Sequence, residues 1–126
     1  MTRILEIDDA ERWVVESTLR ERYGHRVATE LADTELRVNA SDETLTACPT
    51  LYWEERGAAF VIVKVAEGRW RAMFFYQEDE LEEQFGAGRP EYDDLLDCVT
   101  SVLRAQADHE KERAGAHSGK AGGDLG

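Results

Sequence analysis

A chain of 126 residues has room for one domain with a single core, and a hydrophobic fraction of 42% is ordinary for a globular protein. The net charge of −12, from 27 acids and 15 bases, argues against nucleic acid and anionic membranes as partners. No apolar run is long enough to span a membrane, and the first nine residues carry three acids where a signal peptide would be apolar. We therefore expect a cytoplasmic protein.

The first predicted element is a helix over residues 8–23. Asp8 suits the N-cap position, and Glu11 lies three residues later, as in a capping box. Gly24 is well placed to end the helix in a left-handed conformation. The following residues, 25–39, alternate between apolar and polar side chains, which predicts one bent strand or two short ones.

Three segments rich in aromatic and β-branched residues, 50–55, 58–65 and 69–76, predict an antiparallel meander. The two-residue turn at Arg56-Gly57 and a three-residue loop at 66–68 fix a register, in which Val65 pairs with Arg69. One face then carries a row of aromatic side chains and other large residues: Leu51, Trp53, Phe60, Ile62, Trp70, Phe74 and Tyr76. The other face carries Tyr52, Val61, Val63, Val65, Met73 and Phe75, with Arg69 and Arg71. Since both faces are apolar, either helices cover both or one face meets a partner.

The second half of the chain predicts two further helices. A short acidic helix is expected over residues 78–85, and a C-terminal helix starting at Pro90 or Glu91 is expected to pack on the sheet. The predicted class is α+β, with an N-terminal helix and an antiparallel meander of about four to five strands before these helices. Residues 1–113 form the predicted domain, and residues 114–126 are expected to be a disordered tail.

Acidic residues are concentrated between positions 78 and 97. This segment contains nine acids and one base, which give it a net charge of −8. Their spacing permits three interpretations: a solvated acidic face, a docking surface for a basic protein, or a cation site without the ligand pattern of an EF-hand. The docking interpretation assigns partner binding to Glu78, Asp79, Glu80, Glu82, Glu83, Asp93, Asp94 and Asp97.

The nucleophilic and metal-ligating residues form no recognisable motif. His25, His109 and His117 lack the close spacing of a metal site, so the sequence predicts no metal and no cofactor. Cys48 and Cys98 belong to no Cys/His cluster and are expected to be free thiols. Cys98 fits a helix core, whereas Cys48, beside a proline, is expected to be exposed.

The sequence therefore favours a non-catalytic acidic protein-binding module, of the inhibitor, immunity, chaperone or adaptor type. Its predicted partner is a basic protein, and the second apolar face also allows a homodimer through the sheet. The alternative is a small enzyme or ligand-binding domain with a pocket between the sheet and the C-terminal helix. The polar groups offered for that pocket are Tyr52, Tyr76, Cys48 and Arg71.

Overall fold

The computed structural model describes residues 4–39, 41–77 and 84–118, with side chains as far as residue 114. In chain order the elements are α1 (Asp9–Tyr23), β1 (Glu30–Leu36), β2 (Thr46–Glu55), β3 (Ala58–Ala66), β4 (Arg69–Tyr76), β5 (Phe85–Gly86) and α2 (Leu95–Ser118). The strands form one antiparallel sheet in the order β1-β2-β3-β4-β5, which confirms the predicted α+β class and the meander. Neither described helix has the length and apolarity that crossing a membrane requires.

Helix α1 has both of its predicted caps. The Glu11 backbone N–H donates to Asp8 Oδ1 at 2.7 Å, and the Asp8 N–H donates to Glu11 Oε1 at 3.0 Å, which completes the capping box. At the other end Gly24 has a φ of +79° and donates its N–H to the Arg20 carbonyl oxygen. These local bonds satisfy backbone groups that a helix end otherwise leaves without partners.

The aromatic row across the central strands has the predicted register. Trp53 lies opposite Phe60 with ring centroids 5.1 Å apart, and Phe60 lies opposite Phe74 at 6.2 Å. The turn before β3 holds Arg56 and Gly57 at positive φ, 57° and 82°, which matches the twist of a two-residue hairpin. The predicted division of side chains between the two faces of the meander is therefore confirmed.

The turn between β3 and β4 differs from the prediction. Ala66, and not Val65, lies opposite Arg69, and the register shifts between Lys64 and Ala66. Val65 is therefore an extra residue in β3, as in a β-bulge, and the turn itself spans only residues 67–68. The bulge accommodates one residue that the prediction had placed in the loop.

Strand β2 begins at Thr46, earlier than predicted, and runs through Pro49. Pairing with β3 starts only at Thr50, opposite Val63, so Pro49 is paired on the β1 side alone, opposite Asp33. A residue without a backbone donor is tolerated where one side of the strand is unpaired.

Helix α2 begins at Leu95, so the predicted start at Pro90 or Glu91 is wrong. Tyr92 forms an antiparallel bridge with Trp70, and each backbone N–H donates to the other's carbonyl oxygen at 2.8 Å. This pairing holds the backbone extended just before the helix, and it joins the approach to α2 to the outer side of β4.

The predicted short acidic helix is not shown. Its residues 78–83 lie outside the described part of the chain. Phe85, its predicted end, is instead in β5, where it pairs with Phe74. Helix α2 runs on to Ser118, and residues 119–126 also lie outside the described part.

The main core lies between the two helices and the aromatic face of the sheet, which we call the front face. Val15 of α1 and Val99 and Val102 of α2 are fully buried in the same cluster as Phe60. Both helices therefore cover one face only, and the opposite side, called the back face from here on, has no helix on it among the described residues.

Candidate protein-binding surface

One half of the back face is covered by chain segments rather than by a helix. Cys48, Val63 and Val65 are buried there in a small cluster. Ile4, from the segment before α1, and Val38, from the connection after β1, pack against that cluster. These segments close the end of the sheet nearest the β3–β4 turn.

The other half of the back face carries four side chains that are only partly buried: Tyr52, Val61, Met73 and Phe75, called the open patch below. The register places Tyr52, Val61 and Met73 opposite one another on three successive strands, while Phe75 lies opposite Ala59. Beyond Met73 the next strand offers only Gly86, which has no side chain to cover it. The open patch is therefore a continuous apolar surface in the middle of the sheet.

Carboxylates border the open patch on the β1 and β2 side. Glu30 lies opposite Tyr52, and the Tyr52 hydroxyl donates a hydrogen bond to Glu54 Oε2. Burial, together with the hydrogen bond and charge of Glu54 and the charge of Glu30, raises the pKa of Tyr52 to about 12. The local potential on this side is therefore negative.

The two arginines on the back face are already paired. Arg69 Nη2 lies 2.7 Å from Glu91 Oε1, and Arg71 Nη2 lies 2.9 Å from Glu91 Oε2. Arg71 also donates to the carbonyl oxygen of Val38 at 2.7 Å, which fixes the connection after β1. Because these cations are engaged, they do little to offset the acidic border of the open patch.

The predicted partner-binding acids are not on the open patch where the structure describes them. Glu78, Asp79, Glu80, Glu82 and Glu83 lie outside the described residues. Asp93, Asp94 and Asp97 lie at the start of α2, which packs on the front face.

Two of these three aspartates have local structural contacts. Asp94 caps α2, since its Oδ2 accepts from the Asp97 N–H at 2.9 Å and its carbonyl oxygen accepts from the Cys98 N–H. Asp97 lies 3.6 Å from Arg89 Nη1, and its Oδ1 accepts from the Ser101 hydroxyl. Helix capping thus accounts for Asp94 without any partner.

Both cysteines are free and fully buried, so the prediction that Cys48 is exposed is wrong. Cys48 lies in the covered cluster of the back face because the Ile4 and Val38 segments close over it. Cys98 lies in the main core on the other side of the sheet, which rules out a disulfide between them. Burial raises the pKa of both thiols, that of Cys98 to about 12, so neither is an activated nucleophile.

His109, which forms part of no predicted metal site, packs against aromatic side chains. Its ring lies 4.2 Å from that of Phe85, and its Nδ1 lies 3.0 Å from the Tyr76 hydroxyl. The guanidinium of Arg113 covers the Tyr76 ring at 3.9 Å. These contacts fasten the distal part of α2 to β4 and β5, and no short-range sequence signal points to them.

A buried lysine on the front face was also not foreseen. Lys64 Nζ lies 3.1 Å from carboxylate oxygens of both Glu11 and Glu67, donates to the Glu6 carbonyl oxygen, and lies 5.7 Å from the Trp70 ring centroid. Burial lowers the pKa of Lys64, but the hydrogen bonds and charges of the two glutamates outweigh it and raise the pKa overall. The ammonium group thus joins the start of α1 to the β3–β4 turn.

The four polar residues offered for a pocket under α2 do not converge. Tyr76 points to the front face, whereas Tyr52, Cys48 and Arg71 belong to the back face. A cleft of about 570 Å³ does lie beside the distal part of α2, but it is bordered by the end of α1 and the β2–β3 turn. Its lining includes Arg22, Tyr23, Glu55, Arg56 and Lys111.

No group of three or more His, Cys, Asp or Glu side chains within the described residues is arranged to hold a metal ion. His25 pairs with Glu55 Oε2 at 3.0 Å, and the side chain of His117 lies outside the described part. Comparison with protein-family models, with curated proteins and with solved structures gave no significant match.

Proposed function

We propose that this chain is a non-catalytic protein-binding module whose open patch binds a basic protein partner. The observation that supports this is the partial exposure of Tyr52, Val61, Met73 and Phe75 in the centre of a sheet whose helices lie on the other face. Aromatic residues and methionine are among the types enriched in the cores of protein interfaces.

The charge around the open patch favours a basic partner over a second copy of the chain. Glu30 and Glu54 border the patch, and the chain carries a net charge of −12. Two copies meeting through this face would bring like charges together, whereas lysines and arginines around an apolar centre would complement them. A homodimer through the open patch is therefore the competing hypothesis, and the molar mass in solution tests it.

The experiment is selection of peptides from a phage-displayed library of random twelve-residue sequences on the immobilised full chain. We expect enriched sequences that combine apolar residues with lysine or arginine, and whose dissociation constants rise with salt concentration. Phe75→Glu, which places a charge in the open patch, should abolish their binding.

Leu45→Glu is the matched control, because Leu45 is 56% exposed in the connection between β1 and β2. It changes the net charge by the same amount and should leave binding of the selected peptides within about twofold of wild type. Leu45 lies seven residues before Tyr52, just ahead of β2, and exposed charges that far apart are largely screened by salt. Circular dichroism of both variants checks that they are folded. Selected peptides that bind Phe75→Glu as well as wild type would overturn the assignment to the open patch.

A further inference from the structure

Strand β1 forms one edge of the sheet, and its outer side is uncovered among the described residues. It is the terminal strand, it pairs with β2 along its whole length, and no described strand lies on its outer side. The opposite edge is partly covered, because β5 pairs with Met73 and Phe74, and Tyr92 pairs with Trp70. An edge strand presents unpaired backbone N–H and C=O groups, which can template another strand.

The edge is already in the conformation that an added strand needs. The seven residues of β1 span about 23 Å, at roughly 3.3 Å per residue, and each has a partner on β2. Since β2 holds β1 extended before anything binds, little backbone ordering of this chain remains to oppose binding.

Three of the seven side chains of β1 are acidic, and the strand itself contains no base. Asp33 and Glu35 point to the front face, and Glu30 points to the back face beside Tyr52. If two copies paired through β1 about a twofold axis at Asp33, the two Asp33 carboxylates would lie directly opposite each other. Like charges in that position destabilise a strand pair, so the edge disfavours a second copy and favours a basic strand.

Exposed apolar side chains lie on β1 and on the part of α1 that contacts the residue before it. Leu31 of β1 is 54% exposed and Trp13 of α1 is 69% exposed. Arg12 Nη2 donates to the carbonyl oxygen of Thr29 at 2.6 Å, which fastens the part of α1 next to Trp13 to the residue before β1. Acids alone would protect an edge from aggregation, but the exposed leucine on the strand adds apolar area that an incoming strand can bury.

We propose that an extended basic segment of the partner adds to β1 as a sixth, antiparallel strand. Lysine or arginine of that segment lies opposite Glu30, Asp33 and Glu35, and an apolar residue lies opposite Leu31. The inference rests on the proposed function and deepens it, since Glu30 and Tyr52 join the β1 edge directly to the open patch.

The probe is the capped synthetic peptide Val-Lys-Thr-Lys-Val-Leu-Lys, which places its charges opposite the three acids of β1. Binding to the full chain is followed by amide chemical shifts in two-dimensional NMR. We expect the largest shift changes in β1, and a dissociation constant that rises about tenfold for Asp33→Lys. Glu112→Lys, on an exposed part of α2, makes the same change in net charge and should have little effect.

Two N-methylated peptides separate strand addition from simple charge attraction. Each has the same sequence and charge, but one carries N-methyl groups on the odd residues and the other on the even residues. Because only alternate amides of an added strand face β1, one peptide should lose at least about tenfold in affinity and the other should bind like the parent. Equal loss from both, or from neither, would overturn strand addition.

The two proposals fail in different ways. If the library peptides lose binding in Phe75→Glu while the probe gives no shift changes in β1, strand addition is wrong and the open patch stands. If the probe binds β1 with the expected N-methyl pattern while library peptides bind Phe75→Glu as well as wild type, the assignment of binding to the open patch is wrong. Strand addition to β1 is then supported.

Discussion

Phe60 lies at the centre of the front-face aromatic row and is fully buried between Trp53 and Phe74. Phe60→Ala should lower the free energy of unfolding by about 3–5 kcal/mol, because it removes buried area and leaves a cavity that rigid strands cannot fill. Urea denaturation measures the change. Leu45→Ala, at an exposed position, should cost less than about 0.5 kcal/mol. A loss below about 1 kcal/mol for Phe60→Ala would show that the row is not core.

His25 provides a prediction of pH dependence at the residue scale. Its hydrogen bonds to the Arg26 carbonyl oxygen and to the Glu55 carboxylate raise the pKa of His25 above its ordinary value of 6.5. A raised pKa in the folded state stabilises the fold at pH values below 6.5, and this contribution is lost as the pH rises through the folded value. An NMR titration of the imidazole should therefore give a midpoint above 6.5.

The matched variants for this titration are Glu55→Gln and Glu54→Gln. Glu55→Gln removes the charge that contacts His25 and should lower the midpoint, whereas Glu54 makes its contact with Tyr52 and its replacement should not. The same midpoint in wild type and Glu55→Gln would show that the pair does not form in solution.

At the scale of the element, adjacent aspartates at the start of α2 have unequal roles. Asp94 accepts from the Asp97 backbone N–H at 2.9 Å, whereas Asp93 is exposed just before it. Asp94→Ala should cost about 1 kcal/mol of unfolding free energy, the usual value of an N-cap, and Asp93→Ala should cost less than about 0.5 kcal/mol. Thermal and urea denaturation of both variants test the difference. Equal losses would mean that charge near the helix terminus, and not capping, is what stabilises α2.

The two helices show which sequence signals were sufficient to predict where a helix begins and ends. Helix α1 contains its own capping residues, Asp8 and Glu11 at the start and Gly24 at the end. Its bounds could therefore be predicted from residues in or next to the helix. Helix α2 has a comparable cap at Asp94, but the sequence also offers Pro90 as a start. Only pairing between Tyr92 and a distant strand decides between these starts.

At the scale of the whole molecule, the oligomeric state distinguishes binding of a basic partner at the open patch from a homodimer through it. Static light scattering is measured at low and at high salt. At low salt, where charges are weakly screened, we expect a monomer of 14.3 kDa, because the acidic border and the net charge of −12 oppose self-association. A dimer at both salt concentrations would assign the open patch to a second copy. In that case the acidic segment 78–83 would become the first place to look for a basic partner.

The candidate surface was predicted only in part. The two apolar faces of the meander followed from alternation and turn length, which led to the expectation that helices cover both faces or that one face meets a partner. Sequence reasoning assigned binding instead to the acids between positions 78 and 97, because charge density is visible in a sequence and exposure is not. The partial exposure of Met73 and Phe75 depends on which face of the sheet the helices pack against, and on Gly86 lying beside β4.

What the sequence by itself determined is the local structure: the caps of α1, the three central strands, and the Trp53–Phe60–Phe74 row. These follow from hydrogen bonds and periodicities that act over a few residues. The tertiary structure alone decided the burial of Cys48, the pairing of Lys64 with Glu11, and the open patch beside the edge strand β1. Each depends on contacts between segments far apart in the chain. Tertiary packing, and not the residues next to them in the sequence, brings these segments together.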